Sequence, residues 1–263
     1  MRLAAFLPGA LALQRVLPPY SKDEPFADRR ARVPAGERRP LGLRHLYRVA
    51  ALITIGLIVG LSVTSCAAPR YTYVADSGDN AYFKVPPSWH QVDEHSLQSA
   101  MGPSFDAGSF KVGSYLWTRA YDSSASPSAQ HILTITPTPV VFASVLSLSS
   151  GGRGLLSLNG MRDLFLPVTS GARQAASAQG EQLTGFQSLS DTTITNSHGD
   201  RGIREVFDYT FNGVPETFDL TVLTDSNTTK LYFLLVQCET SSFASDYSQI
   251  SQVVGSFTVG GGS

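Results

Sequence analysis

Cys66 closes the run Leu61-Ser62-Val63-Thr64-Ser65-Cys66 and is the residue of this chain best placed to take part in chemistry. A branched aliphatic, two small residues and then cysteine suit a peptidase that needs an extended, uncrowded backbone. The thiol supplies the sulfur that accepts a diacylglyceryl group. Ahead of it, residues 49–65 form an uncharged, largely apolar segment of seventeen residues, with Arg38, Arg39, Arg44 and Arg48 crowded against its start. Such a segment partitions into a bilayer while the arginines stay cytoplasmic. The expectation is lipidation of Cys66, with cleavage between Ser65 and Cys66. Two other uses of the segment stay open. One is an uncleaved anchor helix, because seventeen residues sit at the short end of the about 17–25 that span a bilayer. The other is an ordinary cleaved signal peptide.

The remaining reactive side chains carry weaker patterns. His90, Asp93, Glu94 and His95 are the densest set of potential metal ligands. Their His-x4-His spacing does not present both rings on one helical face, so solvated loop residues are the commoner outcome and no metal is expected. Serine is abundant, yet neither Gly-x-Ser-x-Gly nor Ser-x-x-Lys occurs. His131 or His198 could meet a serine and an aspartate only through the fold. Gly151-Gly152-Arg153-Gly154 lacks the Lys-Ser/Thr of a phosphate-binding loop and reads as a hinge before a helix. Asp163 beside Arg162 reads as surface pairing. Cys238 lies in an apolar run and reads as a buried, unreactive thiol, without a partner if Cys66 is lipidated. No catalytic residue and no cofactor follow from these patterns.

Charge divides the chain at Cys66. Residues 1–65 hold ten Lys/Arg against four acids, a net of +6, whereas the 198 residues from Cys66 onward hold ten against seventeen, a net of −7. An acidic domain without a basic or aromatic patch repels phosphate backbones, which excludes nucleic acid as a partner. The expected organisation is a basic leader over 1–48, a hydrophobic signal segment over 49–65, a short tether over 66–70, one domain over 71–259 and a tail over 260–263. The leader is long for a signal, so a cytoplasmic tail or a later start at Val33 are both open. Arg38-Arg39-Pro40-Leu41 is a poor twin-arginine signal, with proline directly after the pair.

The domain that must position any chemistry reads mainly as strands: 81–86, 109–119, 131–136, 140–148, 192–195, 204–211, 216–224 and 230–238. Asn212-Gly213 predicts a tight hairpin turn, and Asp225-Ser226-Asn227 a second one. The segment 230–238 is apolar on both faces, as an inner strand covered on both sides would be. Phe243, Tyr247, Ile250, Val254 and Phe257 predict a helix capped by Ser241 or Ser242. Leu155, Leu158, Met161, Leu164 and Phe165 predict another, stopped by Pro167 and weakened by Gly160. Residues 172–183 fit a surface helix or a loop. Residues 123–130 and 195–202 read as loops, and Trp89 and Trp117 as core residues.

Phe83-Lys84-Val85-Pro86-Pro87-Ser88-Trp89 near the start, with Lys230-Leu231-Tyr232-Phe233-Leu234, Phe243, Ile250, Val253 and Ser256-Phe257 near the end, resemble the PsbP-like fold of small exported lipoproteins. The resemblance spans most of 71–259 and implies an α+β domain: an antiparallel β-sheet flanked by helices, an α/β/α sandwich. It also implies an actinobacterial lipoprotein rather than a photosystem subunit, and it brings no shared catalytic apparatus. The function expected is that of a non-enzymatic binding or accessory protein of the cell envelope. It would be lipid-anchored on the extracytoplasmic face of the cell membrane through a diacylglyceryl-cysteine, with an envelope protein or a lipid or glycolipid as partner. An envelope hydrolase or metal-dependent enzyme with an unrecognised site is the alternative.

Overall fold

The computed structural model describes residues 70–107, 114–181 and 183–260. Ser65 and Cys66, the expected leader and signal segment, nearly all of the tether, Phe110, Val112 and the last three residues lie outside them. Among the described residues, no helix is long and apolar enough to cross a membrane.

The organising element is the strand β9 (Lys230–Glu239), because its sequence leaves neither face to water. Side chains alternate across a strand. Leu231, Phe233 and Leu235 therefore enter one core with Phe142, Phe218 and Leu220, while Tyr232, Leu234, Val236 and Cys238 enter a second with Val141, Ala143 and Val145. Each such apolar side chain taken fully out of water contributes on the order of 1.5–3 kcal/mol. The strand consequently sits in the middle of a seven-stranded sheet.

That sheet is antiparallel throughout, in the order β3 (His90–Gln91), β4 (Tyr115–Asp122), β5 (Val140–Ser147), β9, β8 (Val214–Thr224), β7 (Arg201–Phe211) and β6 (Thr184–Thr195). A second sheet has β2 (Ala81–Val85) between β1 (Thr72–Asp76) and β10 (Thr258–Val259), again antiparallel. One face of the large sheet is covered by Leu97 of α1 (Glu94–Ala107), Ile132 of α2 (Ala129–Leu133), Met161 of α4 (Leu158–Arg162), and then Leu164 and Val168. The other face is covered by α6 (Thr240–Val254) through Phe243, Ile250, Val253 and Val254, and by Val74, Ala81, Phe83, Val85 and Val259 of the small sheet. The expected α+β architecture, an antiparallel sheet flanked by helices, is what forms. Its second flank combines one helix with three strands.

The hairpins close as their residues demand. Asn212 and Gly213 take φ of 53° and 84°, the left-handed pair of a two-residue turn that matches strand twist. Between β8 and β9, the Asp225 carboxylate accepts the Thr229 and Lys230 N–H groups at 2.6 and 2.7 Å. Trp89 and Trp117 are buried, as expected, and pack in the second core.

Several expectations are corrected. Residues 131–136 are not a strand: Ser128 caps Gln130 N–H and starts α2 over Ala129–Leu133. The stripe expected as one helix over 155–165 is two, α3 (Ser150–Leu155) and α4, and the glycine segment 151–154 lies inside α3 rather than before a helix. Of residues 172–183, open between a surface helix and a loop, those up to Ala178 are helical in α5 (Ser170–Ala178) and a turn follows at 179–180, before β6 begins at Thr184. α6 begins after Glu239 without a side-chain cap, and Phe257 falls beyond its end. Asp163 does not pair with Arg162; its carboxylate accepts the Val168 and Thr169 N–H groups, both at 2.8 Å.

Candidate functional site

Three groupings of polar side chains rise above ordinary surface. The first lies where β4 ends. Asp122 is fully buried, and its carboxylate accepts Ser124 N–H at 2.8 Å, Ser128 N–H at 3.1 Å and His131 Nδ1 at 2.6 Å. Burial alone would raise its pKa. The Ser124 N–H, the His131 ring and the Ser128 N–H outweigh burial and hold it below the usual carboxylate range. An ionised Asp122 fixes the imidazole with Nδ1 as donor and leaves Nε2 on a ring whose side chain is 36% exposed. This is the orienting half of a nucleophilic triad. Among the described residues, no hydroxyl bonds to Nε2, so the pair as it stands ties α2 to the end of β4.

The second grouping lies over β7 and β8. Arg162 on α4 forks onto Asp191 of β6, with Nη2–Oδ1 at 3.0 Å and Nε–Oδ2 at 3.1 Å, while Glu205 Oε2 stands 3.9 Å from its Nε. Glu205 is buried, its Oε2 has no hydrogen-bond partner, and burial followed by the Asp191 charge pushes its pKa up to about 7 against the opposing pull of Arg162. Glu216 on β8 stands apart from this group, opposite Tyr209 of β7; it is buried with Oε1 unpartnered, and burial drives it up to about 8, with the Thr136 N–H opposing and Glu239 adding to the rise. At neutral pH Glu216 is largely protonated, which avoids a bare buried charge.

The third is the outer face of the small sheet. Register places Tyr73 opposite Lys84, and Ala75 and Thr258 opposite Tyr82. Tyr73 is 79% exposed and Tyr82 is exposed too. Lys84 Nζ stands 4.3 Å from the centroid of the half-buried Tyr71 ring, and the Tyr71 hydroxyl donates to Gln252 on α6. Arg119, Arg162, Arg204 and Lys230 all pair with carboxylates, whereas among the described residues none lies in ion-pair range of Arg70, Lys84, Arg153, Arg173 or Arg201. Tyr73, Tyr82 and the unneutralised Lys84 thus share one side of the sheet that begins the domain, and the exposed Arg70 stands just before β1.

The histidine-rich segment does not assemble. His90 lies in β3, Asp93 caps α1 through Ser96 N–H at 2.7 Å, and Glu94 pairs with Arg119 at 2.8 Å. The Ser96 N–H and hydroxyl hold Asp93 below the usual range. Among the described residues, no three His, Cys, Asp or Glu converge to hold a metal ion. Cys238 is buried and free, and burial, with Glu216, Asp246 and Glu239 nearby, pushes its thiol up to about 12. Sequence reasoning raised His131 only as one of two histidines and missed Asp122 as its partner. It also missed Glu205, Glu216 and the tyrosine face.

No protein-family model matches this chain, and no curated protein sequence does. Solved structures do show similarity. Cyanobacterial PsbP from Synechocystis is 13% identical, over 76% of this chain and 99% of its own, with a TM-score of 0.42. LpqN of Mycobacterium tuberculosis, a protein involved in cell envelope biogenesis, is 13% identical over 73% and 91%, with a TM-score of 0.40. The Ran-binding protein Mog1p of Saccharomyces cerevisiae is 10% identical over 73% and 96%, with a TM-score of 0.35.

Proposed function

We propose that this chain is a lipid-anchored protein of the bacterial cell envelope whose domain serves as a non-enzymatic binding or accessory module on the extracytoplasmic face of the membrane. The observation that carries this is Val63-Thr64-Ser65-Cys66 at the exit of an uncharged segment led by arginines. An actinobacterial origin accords with the sequence resemblance. Three of the domain's aspartates are spent on structure: Asp122, Asp163 and Asp225 each gather backbone N–H groups of their own loops. A partner protein or a lipid or glycolipid would then be met by surface rather than by a reactive centre. Mass spectrometry of the protein purified from membranes tests this. A diacylglyceryl group on Cys66 as the first residue is expected, together with loss of that group and retention of the uncleaved segment 49–65 in Cys66→Ser. A mature chain starting unmodified at Ala67 sinks the proposal.

An envelope hydrolase is the alternative that one observation favours, the 2.6 Å bond from Asp122 to His131. It requires a serine to reach Nε2. A fluorophosphonate probe should then label the purified protein and lose that label in His131→Ala. Absence of labelling in the parent protein removes the alternative.

A further inference from the structure

We infer that the outer face of the small sheet is a membrane-contacting surface: Tyr71, Tyr73 and Tyr82 sit in the headgroup region of a bilayer, and Arg70 and Lys84 pair with its anionic phosphates. This rests on the lipid anchor proposed above.

Reach comes first. Cys66 and Thr72, the first residue of β1, are six residues apart. A fully extended chain spans at most about 3.6 Å per residue, so β1 begins within about 22 Å of the acylated cysteine whatever path the tether takes. Among the strands, β1, which carries Tyr73, is the one joined to the anchor by the shortest stretch of chain.

Chemistry comes second. Tyrosine couples an apolar ring to a polar hydroxyl and concentrates at membrane–water interfaces for that reason. Single exposed aromatics are ordinary on a protein surface. Here Tyr73 and Tyr82 alternate with Ala75 and Lys84 on the same outward face, while Val74, Ala81, Phe83 and Val85 fill the core beneath. The rings therefore project from a sheet that is already fully packed on its other side.

Charge comes third. From Cys66 onward the chain carries a net of −7, so an anionic leaflet repels it as a whole. Arg70 and Lys84 reverse that sign locally. Of the hairpin's acids, Asp79 is paired with Lys230 at 2.7 Å, whereas Asp76, which accepts Gly78 N–H at 3.1 Å, keeps its charge at the turn end of β1 and offsets one of the two cations. A basic, aromatic face on an acidic domain turns itself toward anionic headgroups and the rest away. Each cation near such a surface contributes roughly five-fold in partitioning.

The test uses the lipidated full chain reconstituted into vesicles of phosphatidylcholine, with or without phosphatidylglycerol. A polarity-sensitive fluorophore is placed on Ala75→Cys and, separately, on Leu189→Cys. Position 189 lies on β6, five strand spacings or about 24 Å across the large sheet from β4. Cys66 is consumed by lipid and Cys238 is buried, so the introduced thiol takes the label. Expected is a blue-shifted probe at 75 that is quenched by spin-labelled lipid, more so with phosphatidylglycerol, beside a probe at 189 that remains in water. Tyr73→Ser with Tyr82→Ser should return the probe at 75 to water while the protein stays anchored. Both residues are exposed, so the core is untouched, and circular dichroism verifies the fold. Equal, water-like spectra at 75 and 189 on a protein whose mass shows the diacylglyceryl group overturn this inference alone. An unmodified Cys66 overturns the anchor and this inference together. Quenching indifferent to phosphatidylglycerol overturns the pairing with Arg70 and Lys84.

Discussion

Asp122 shows how one buried carboxylate can be stabilised well enough to stay charged. It spends its acceptor capacity on two backbone N–H groups and one imidazole, all within the loop and short helix that follow it. Asp122→Asn keeps the shape but turns one acceptor into a donor facing N–H groups. It should cost about 1–3 kcal/mol in urea denaturation. His131→Ala should cost less, because the two backbone bonds survive and the ring is partly solvated. Equal stability of Asp122→Asn and the parent protein would show that the loop is held by other means. Glu216 is the opposite case, a carboxyl with too few partners that is largely neutral at neutral pH. Neither was legible in the sequence, since Asp122 and His131 are ordinary residues nine positions apart until α2 forms and carries His131 onto the end of β4.

At the scale of elements, legibility followed burial. β9 and β8 were readable because their apolar residues face cores on fixed sides, and the Asn212-Gly213 turn because only residues tolerant of positive φ fit it. β6 was visible only at its end. It is an edge strand exposed along nearly its whole length, so its serines, threonines and Asp191 carry no alternation, and two register shifts interrupt its pairing with β7. Those irregularities and the charge at Asp191 also blunt a long edge against pairing with another chain. α2 was misread because Ile132, Leu133 and Ile135 suggest a strand, whereas the Ser128 cap and the Asp122–His131 bond decide for a helix turn. Gly202 tests the β7–β8 ladder directly. A Cβ there would stand 1.8 Å from Val222 O and 2.8 Å from Leu223 Cα, both backbone atoms that cannot swing aside. Gly202→Ala should therefore destabilise by more than about 2 kcal/mol. Gly213→Ala meets open space and carries only the strain of its positive φ, about 1 kcal/mol. Thermal unfolding of the two variants should separate them in that order.

For the whole molecule, these carboxyls set how stability changes with pH. Asp122 has a folded pKa below its unfolded value. Its contribution is present above the unfolded value and is lost as pH falls through the folded one. Glu205 and Glu216 are raised to about 7 and about 8 from 4.5, so their contributions are complete below 4.5 and are lost as pH rises through the folded values. Between 4.5 and 7 the native state holds two protons that the unfolded chain has released, and each group lowers stability by up to about 1.4 kcal/mol per pH unit. Stability should peak near pH 4–5, decline steadily to about pH 8 and flatten between about pH 8 and 9, where both groups are ionised in either state, before the raised Cys238 thiol lowers it again. Glu216→Gln keeps the volume of the neutral form and cannot ionise. It should match the parent protein near pH 4.5 and exceed its melting temperature at pH 8, with a shallower decline between. Calorimetry of both proteins from pH 4 to 9 checks this. Parallel curves would mean that Glu216 is solvated and ionised in the native state, and that the sheet end formed by β8 and β9 admits water.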